Sequence, residues 1–234
     1  MSIATLSTLT ARQSSPPFVP NEAGEDAGWT AADLAERFGP MPLHRIGFDP
    51  PPGTATEADV IAWEAKADRL FELIDGVLVE KTMSSFESYL AIQIAVLLSS
   101  YVRPRKLGVV LGADGMLKIM PEMVRIPDAC FIAKAKLPGN FSSQIPISSL
   151  APDLAVEVLS PGNTKREMDE KLDDYFKVGV REVWYVEPRL KKVWVYEART
   201  TVRELTETDA LESRVALPGF SMSLNELFAD PVQD

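Results

Sequence analysis

The chain alternates short apolar runs of strand length with longer stretches whose apolar residues recur at helical spacing. FELIDGVLVE, residues 71–80, places two apolar arms around Asp75-Gly76. That pair supplies the positive φ angles of a two-residue turn, so the pattern predicts a β-hairpin. VVLGA and MLKIM flank a second such pair, Asp114-Gly115, and predict another hairpin. Buried strands are predicted at 129–133 and 154–159, each introduced by Pro-Asp, and a final strand pair at 183–187 and 193–197. Helical spacing covers Trp29 to Phe38 with Thr30 as cap, and Glu57 to about residue 70. Ser84-Ser-Phe-Glu87 and Thr164-Lys-Arg-Glu167 match the capping box at the start of two further helices. The first presents Leu90, Ile94, Leu97, Leu98 and Tyr101 and is expected to end at Arg103-Pro104. The second presents Met168, Leu172, Tyr175 and Phe176 and is expected to close at Gly179.

Strand, helix, strand from Leu154 to Glu187 reads as a right-handed crossover within one sheet. The expected fold is α/β, a mixed, twisted β-sheet flanked by helices, with β-hairpins. Residues 1–28 are rich in Ser, Thr and Pro and predict a disordered tail. A short helical N-terminal extension over 29–66 and one domain over 67–230 complete the expected organisation.

Composition then narrows the chemistry. A 234-residue chain with 46% hydrophobic content can bury one substantial core. No uninterrupted apolar run has membrane-spanning length and no secretory leader is legible, so a cytoplasmic protein with no membrane partner is expected. Cys130 is the single cysteine and His44 the single histidine, which excludes a disulfide framework and a His-based metal site. The net charge of −10 argues against nucleic-acid binding. Basic clusters at 103–106, 165–166 and 189–192 leave room for a local basic face, although a solvated surface explains each equally well.

Glu157 is the residue that breaks the pattern. It sits inside an apolar run, where an ionised carboxylate is costly unless it is paired or binds a metal. Asp128 stands at the mouth of the other Pro-Asp strand. Two carboxylates on neighbouring strands suit Mg²⁺, which takes one or two protein carboxylates and keeps room for water and phosphate. Lys171 lies about 40° around its helix from Tyr175 and points toward the sheet, where a cation could offset charge on a reacting phosphate. Each residue also has a plain structural role open to it: a turn for Asp128, an ion pair for Glu157, a packed stem for Lys171, an outward strand position for Glu72 and a helix cap for Glu87.

These motifs together carry a resemblance. FELIDGVLVE, SSFES before an apolar helix, VRIPDACFI, APDLAVEVLSPGNT, EKLDDYFKVGVREVWYVEP and a late LPGF resemble the Uma-two family of the PD-(D/E)XK nuclease superfamily, over about Phe71 to Phe228. The resemblance implies a restriction-endonuclease-like fold and a Mg²⁺-dependent endonuclease acting on DNA, with Mn²⁺ as a substitute ion, and a homodimer. It implies that Asp128 and Glu157 are the metal-binding acids. The lysine expected two positions after Glu157 is Leu159 here, and the resemblance moves that role to Lys171. Glu72 matches the family's first-hairpin glutamate, and Glu87 is a further candidate to assist. Ser88 occupies the place of a histidine that many members carry. With the net charge, it motivates the alternative of a catalytically inactive nuclease-fold module for protein or nucleic-acid interaction. A hydrolase of small phosphorylated molecules is a third, weaker alternative.

Overall fold

The computed structural model describes residues 28–67, 69–139 and 147–230. The expected tail up to residue 27, and residues 140–146 of the connector between the two Pro-Asp strands, lie outside the described residues.

Local sequence sets most of the elements. Thr30 caps α1 (Ala31–Phe38) and Asp33 caps back, and α2 (Glu57–Ala67) follows. β1 (Phe71–Ile74) and β2 (Val77–Glu80) form the predicted hairpin, with Asp75 at φ 51° and Gly76 at φ 72° as its turn requires. A side chain at position 76 would also strike the backbone of Gly53. The Ser84–Glu87 capping box opens α3 (Ser85–Arg105). After β3 (Gly108–Leu111), β4 (Leu117–Met120) and β5 (Met123–Arg125) come the Pro-Asp strands β6 (Ala129–Ala133) and β7 (Leu154–Val158). The Thr164–Glu167 box opens α4 (Lys165–Lys177). β8 (Glu182–Glu187), β9 (Lys192–Ala198), β10 (Thr201–Thr206), β11 (Ala210–Ser213), β12 (Phe220–Ser223) and α5 (Leu224–Phe228) complete the order.

The strands divide among three sheets: a mixed six-stranded sheet in the order β10-β9-β8-β7-β6-β3, a four-stranded sheet β2-β1-β5-β4, and the pair β11-β12. β7 and β8 are parallel with α4 crossing between them, as expected. The alternation of β7 decides what lies on each face. Leu154, Val156 and Val158 pack with Leu90, Ile94 and Leu98 of α3. Ala155 packs with Met168, Leu172 and Tyr175 of α4. Glu157 shares the face of Ala155 and so lies under α4.

Three expectations need correction. Asp114-Gly115 does not turn a hairpin, because β3 pairs with β6 and β4 pairs with β5. The turn, closed by a Gly115 N–H to Gly112 oxygen bond, carries the chain from the six-stranded to the four-stranded sheet. Pro104 does not end α3 at residue 103; it sits in the last turn, and Lys106 in the left-handed region closes the helix. Proline costs most in a helix interior, and here at most one turn lies beyond it. α4 stops one residue early, at Lys177, with Val178 as its cap and Gly179 following at φ 88°.

Aromatic residues join the aliphatic ones in the core: Trp184 stacks on Phe220, and Tyr185 donates to the Met168 carbonyl. α3 has the length and composition of a membrane span, but Leu90, Ile94, Leu98 and Val102 bury one side of it against the six-stranded sheet.

A buried carboxylate ties the C-terminal hairpin to the main sheet. Glu182, fully buried, accepts from Trp184 Nε1 at 2.7 Å, Ser213 Oγ at 2.9 Å, and the N–H groups of Val215 and Ala216 at 3.1 and 3.0 Å. These donors are all neutral. Glu182→Gln turns an N–H₂ toward some of them, and is expected to cost roughly 2 to 4 kcal/mol. Urea unfolding measures that loss, and limited proteolysis within 210–228 should accelerate with it.

Candidate active site

The two sheets and α4 meet around a cluster of buried charge. Glu72 lies on β1 between Phe71 and Leu73, which pack the other way. Arg125, 1% exposed, ends β5 and reaches Glu72 Oε2 at 2.8 Å through one guanidinium nitrogen and Asp174 through the other two. Glu72 Oε1 accepts from the Ile126 N–H and from Lys171 Nζ, both at 3.0 Å.

Lys171 joins Glu72 to Glu157. Its ammonium donates to Glu157 Oε2 at 2.9 Å, and Tyr175, one turn later on α4, donates its hydroxyl to Glu157 Oε1 at 2.5 Å. An i, i+4 pair on one helix face thus satisfies both oxygens of one carboxylate. The helix edge expected to direct Lys171 at the sheet does so, and the side chain is buried.

Asp128 stands opposite Glu157. The register pairs Ala129 with Val156, and the Asp128 N–H donates to the Val156 carbonyl at 2.9 Å. Directly opposed residues of an antiparallel pair project to the same side, so both carboxylates share one face. Asp128 Oδ2 accepts the Val158 N–H at 2.6 Å, and Oδ1 lies 2.8 Å from Lys81 Nζ. Glu87 is bound elsewhere: its Oε2 accepts the Ser84 N–H at 2.6 Å, and no ion pair of the cluster includes it among the described residues.

Charge explains the titration behaviour. Glu72, Asp128, Glu157 and Asp174 meet Lys81, Arg125 and Lys171, one carboxylate in excess. The excess falls on Glu157. Burial, reinforced by Asp128 and Glu72 and opposed by Lys171, pushes it up to about 7. Glu72 goes the other way: burial would raise it, but Lys171 and Arg125 outweigh that and hold it at about 2. Burial would lower Lys171, but Glu157 and Glu72 raise it above the ordinary lysine range. Beside the cluster, Arg45 clasps Glu167 at 2.7 and 2.9 Å.

The residues fit a divalent ion in kind. Asp128 and Glu157 are hard oxygen donors on one face, and their mutual repulsion is part of what raises Glu157. Among the described residues no three His, Cys, Asp or Glu side chains converge for such an ion, so Asp128 and Glu157 are the side chains that would hold it.

Sequence reading missed Arg125, Lys81 and Asp174, and it saw in Tyr175 only an apolar face. The alternation of Met123 and Arg125 in a short strand that runs into Asp128 was a usable signal for the first. For Lys81 there was none, because it follows the hairpin as an ordinary polar residue.

A mixed sheet between α3 and α4, with Asp128 and Glu157 facing across β6 and β7, is the arrangement that the resemblance to restriction-endonuclease-like proteins led us to expect. The family model Uma2, described as "Putative restriction endonuclease", matches residues 58–225. The chain belongs to the Uma2 family. Among solved structures it is similar to one described as a "putative nuclease belonging to DUF820" from Anabaena variabilis, with a TM-score of 0.59 and 21% identity over 69% of this chain and 91% of that one. That likeness is one of fold. No curated protein matches the chain. Family and fold together support a nuclease, with nucleic acid as its substrate.

The Glu72 pairing gives a signed pH dependence. A carboxyl held below its unfolded value stabilises the fold above about pH 4.5 and loses that contribution as pH falls toward about 2. Glu72→Gln should therefore be less stable than wild type near neutrality by on the order of 3 kcal/mol. The gap should narrow as pH falls below 4.5, as followed by urea unfolding at a series of pH values.

Proposed function

We propose that this chain is a Mg²⁺-dependent endonuclease that hydrolyses phosphodiester bonds of DNA, with Mn²⁺ able to replace Mg²⁺. The observation that carries the reading is the facing of Asp128 and Glu157 across β6 and β7 with Lys171 seated on Glu157. A divalent ion bound there would make a water nucleophilic and offset charge on the phosphate. Asp128 and Glu157 would hold it. Lys171 adds a fixed positive charge beside the same carboxylate, where developing negative charge is stabilised without reorganisation. Glu72 and Arg125 act on Lys171: Glu72 anchors the ammonium, and Arg125 holds Glu72 and Asp174 in turn. Tyr175 orients Glu157. We assign Glu87 to capping α3 rather than to the reaction. A bound cation locally neutralises the acidic site, which weakens the objection raised by the net charge. A homodimer belongs to the reading on the family resemblance alone.

One observation favours the alternative of an inactive module. Glu72, Asp128, Glu157 and Lys171 are all buried and already satisfied by one another and by Lys81, Tyr175 and main-chain N–H groups. A paired assay decides between them. Asp128→Asn and Glu157→Gln should each lower Mg²⁺-dependent nicking of plasmid DNA by on the order of 100-fold or more, with far-UV circular dichroism unchanged. Equal nicking by wild type and both variants would remove the nuclease assignment for these residues, and absence of nicking in all three would favour the module.

A further inference from the structure

Lys81 is a cation of the cluster for which the sequence carried no signal. It follows β2 by one residue, its N–H donates to the Leu70 carbonyl, and its side chain turns inward until 9% is exposed. The ammonium reaches Asp128 Oδ1 at 2.8 Å, the Ile126 carbonyl at 2.8 Å and the Ala113 carbonyl at 3.1 Å. An ammonium has three hydrogens, and here each has an oxygen. One carboxylate and two main-chain carbonyls are also the kind of donors that hard cations take. Asp128 Oδ2 is held by a main-chain N–H that is fixed in β7, whereas Oδ1 meets a side chain that can move, so Oδ1 is the oxygen that a rearrangement would free for a metal. Lys81 sits on that oxygen.

We propose that Lys81 is a resident cation of the site, neutralising Asp128 in the metal-free protein and releasing Oδ1 when a divalent ion is taken up. Metal uptake is then an exchange of one cation for another rather than a simple addition. The physical need is plain: an uncompensated carboxylate as buried as Asp128 is strongly destabilising, and a site that waits for its metal requires a substitute charge. The consequence is that Lys81 holds the metal affinity down while it protects the fold. The competing role is a permanent tie, in which Lys81 keeps the β3–β4 turn, the residue after β5 and the residue before β6 together whether or not metal is present. The inference rests on the metal-dependent reading above.

Reductive methylation of the full wild-type chain, read by peptide mass spectrometry, separates the two without a substitution. Lys81 should label several-fold faster in millimolar Mn²⁺ than in chelator, while exposed Lys165 labels equally in both. Calorimetric titration with Mn²⁺ is the second readout. Lys81→Gln should bind more tightly by about tenfold or more, and melt at a lower temperature in chelator, because a like charge beside a cation site is removed. Lys81→Arg keeps the charge and should stay within about threefold of wild type. Unchanged labelling of Lys81, or Lys81→Gln binding Mn²⁺ equally or more weakly, overturns the exchange and leaves the metal-dependent reading standing. No Mn²⁺ binding by either wild type or Lys81→Gln overturns both. Should Lys81→Gln not fold, the labelling result decides.

Discussion

The contact between Lys171 and Glu157 is the one on which the site depends. An ionised carboxylate in the middle of β7 would cost several kcal/mol if it were left unpaired. The chain answers from α4, which must lie across the sheet at one height and rotation for Nζ to reach both Glu157 and Glu72. That requirement couples the two sheets. Glu72 belongs to the four-stranded sheet and Glu157 to the six-stranded one, so a single ammonium links them. Arg125 repeats the device a few ångströms away between β1 and α4. Three cations against four carboxylates leave a cluster that is stable and slightly short of positive charge.

Much of this was legible in the sequence where a local rule acts alone. Asp75-Gly76 specifies its turn from two residues, and the capping boxes at Ser84 and Thr164 specify their helices from four. Glu157 stood out because a glutamate within LAVEVL contradicts burial. What escaped was whatever depends on partners chosen at a distance. The run VVLGADGMLKIM has every feature of a hairpin, yet β6 and β5 are the partners its arms find, so the turn joins sheets instead. β10 was missed because its residues, among them Arg203 and Glu204, are those of an exposed edge with little apolar alternation, and β11 because Leu211 is its one large apolar residue. The lysine of the site was legible because helical geometry is predictable from 100° per residue, whereas Lys81 was not, because the course of a chain after a strand end is not.

The position of the cation shows which feature of the motif is physical. Two residues after Glu157, alternation along β7 would return a side chain to the same face, which is why a lysine there is a workable arrangement. Here β7 ends at Val158, and Leu159, its N–H bonded to the Val186 carbonyl, packs with the apolar residues under α4. A lysine at 159 would lose that packing and would add a fourth cation to a cluster that needs only enough charge to hold its acids. Lys171 approaches the same carboxylate from above the sheet, and its helix brings Tyr175 to the second oxygen and Asp174 to Arg125. Moving the cation from strand to helix therefore gains two further contacts from one element. What the buried carboxylate that faces Asp128 requires is a positive charge about 3 Å away, and the sequence position that supplies it is free to change.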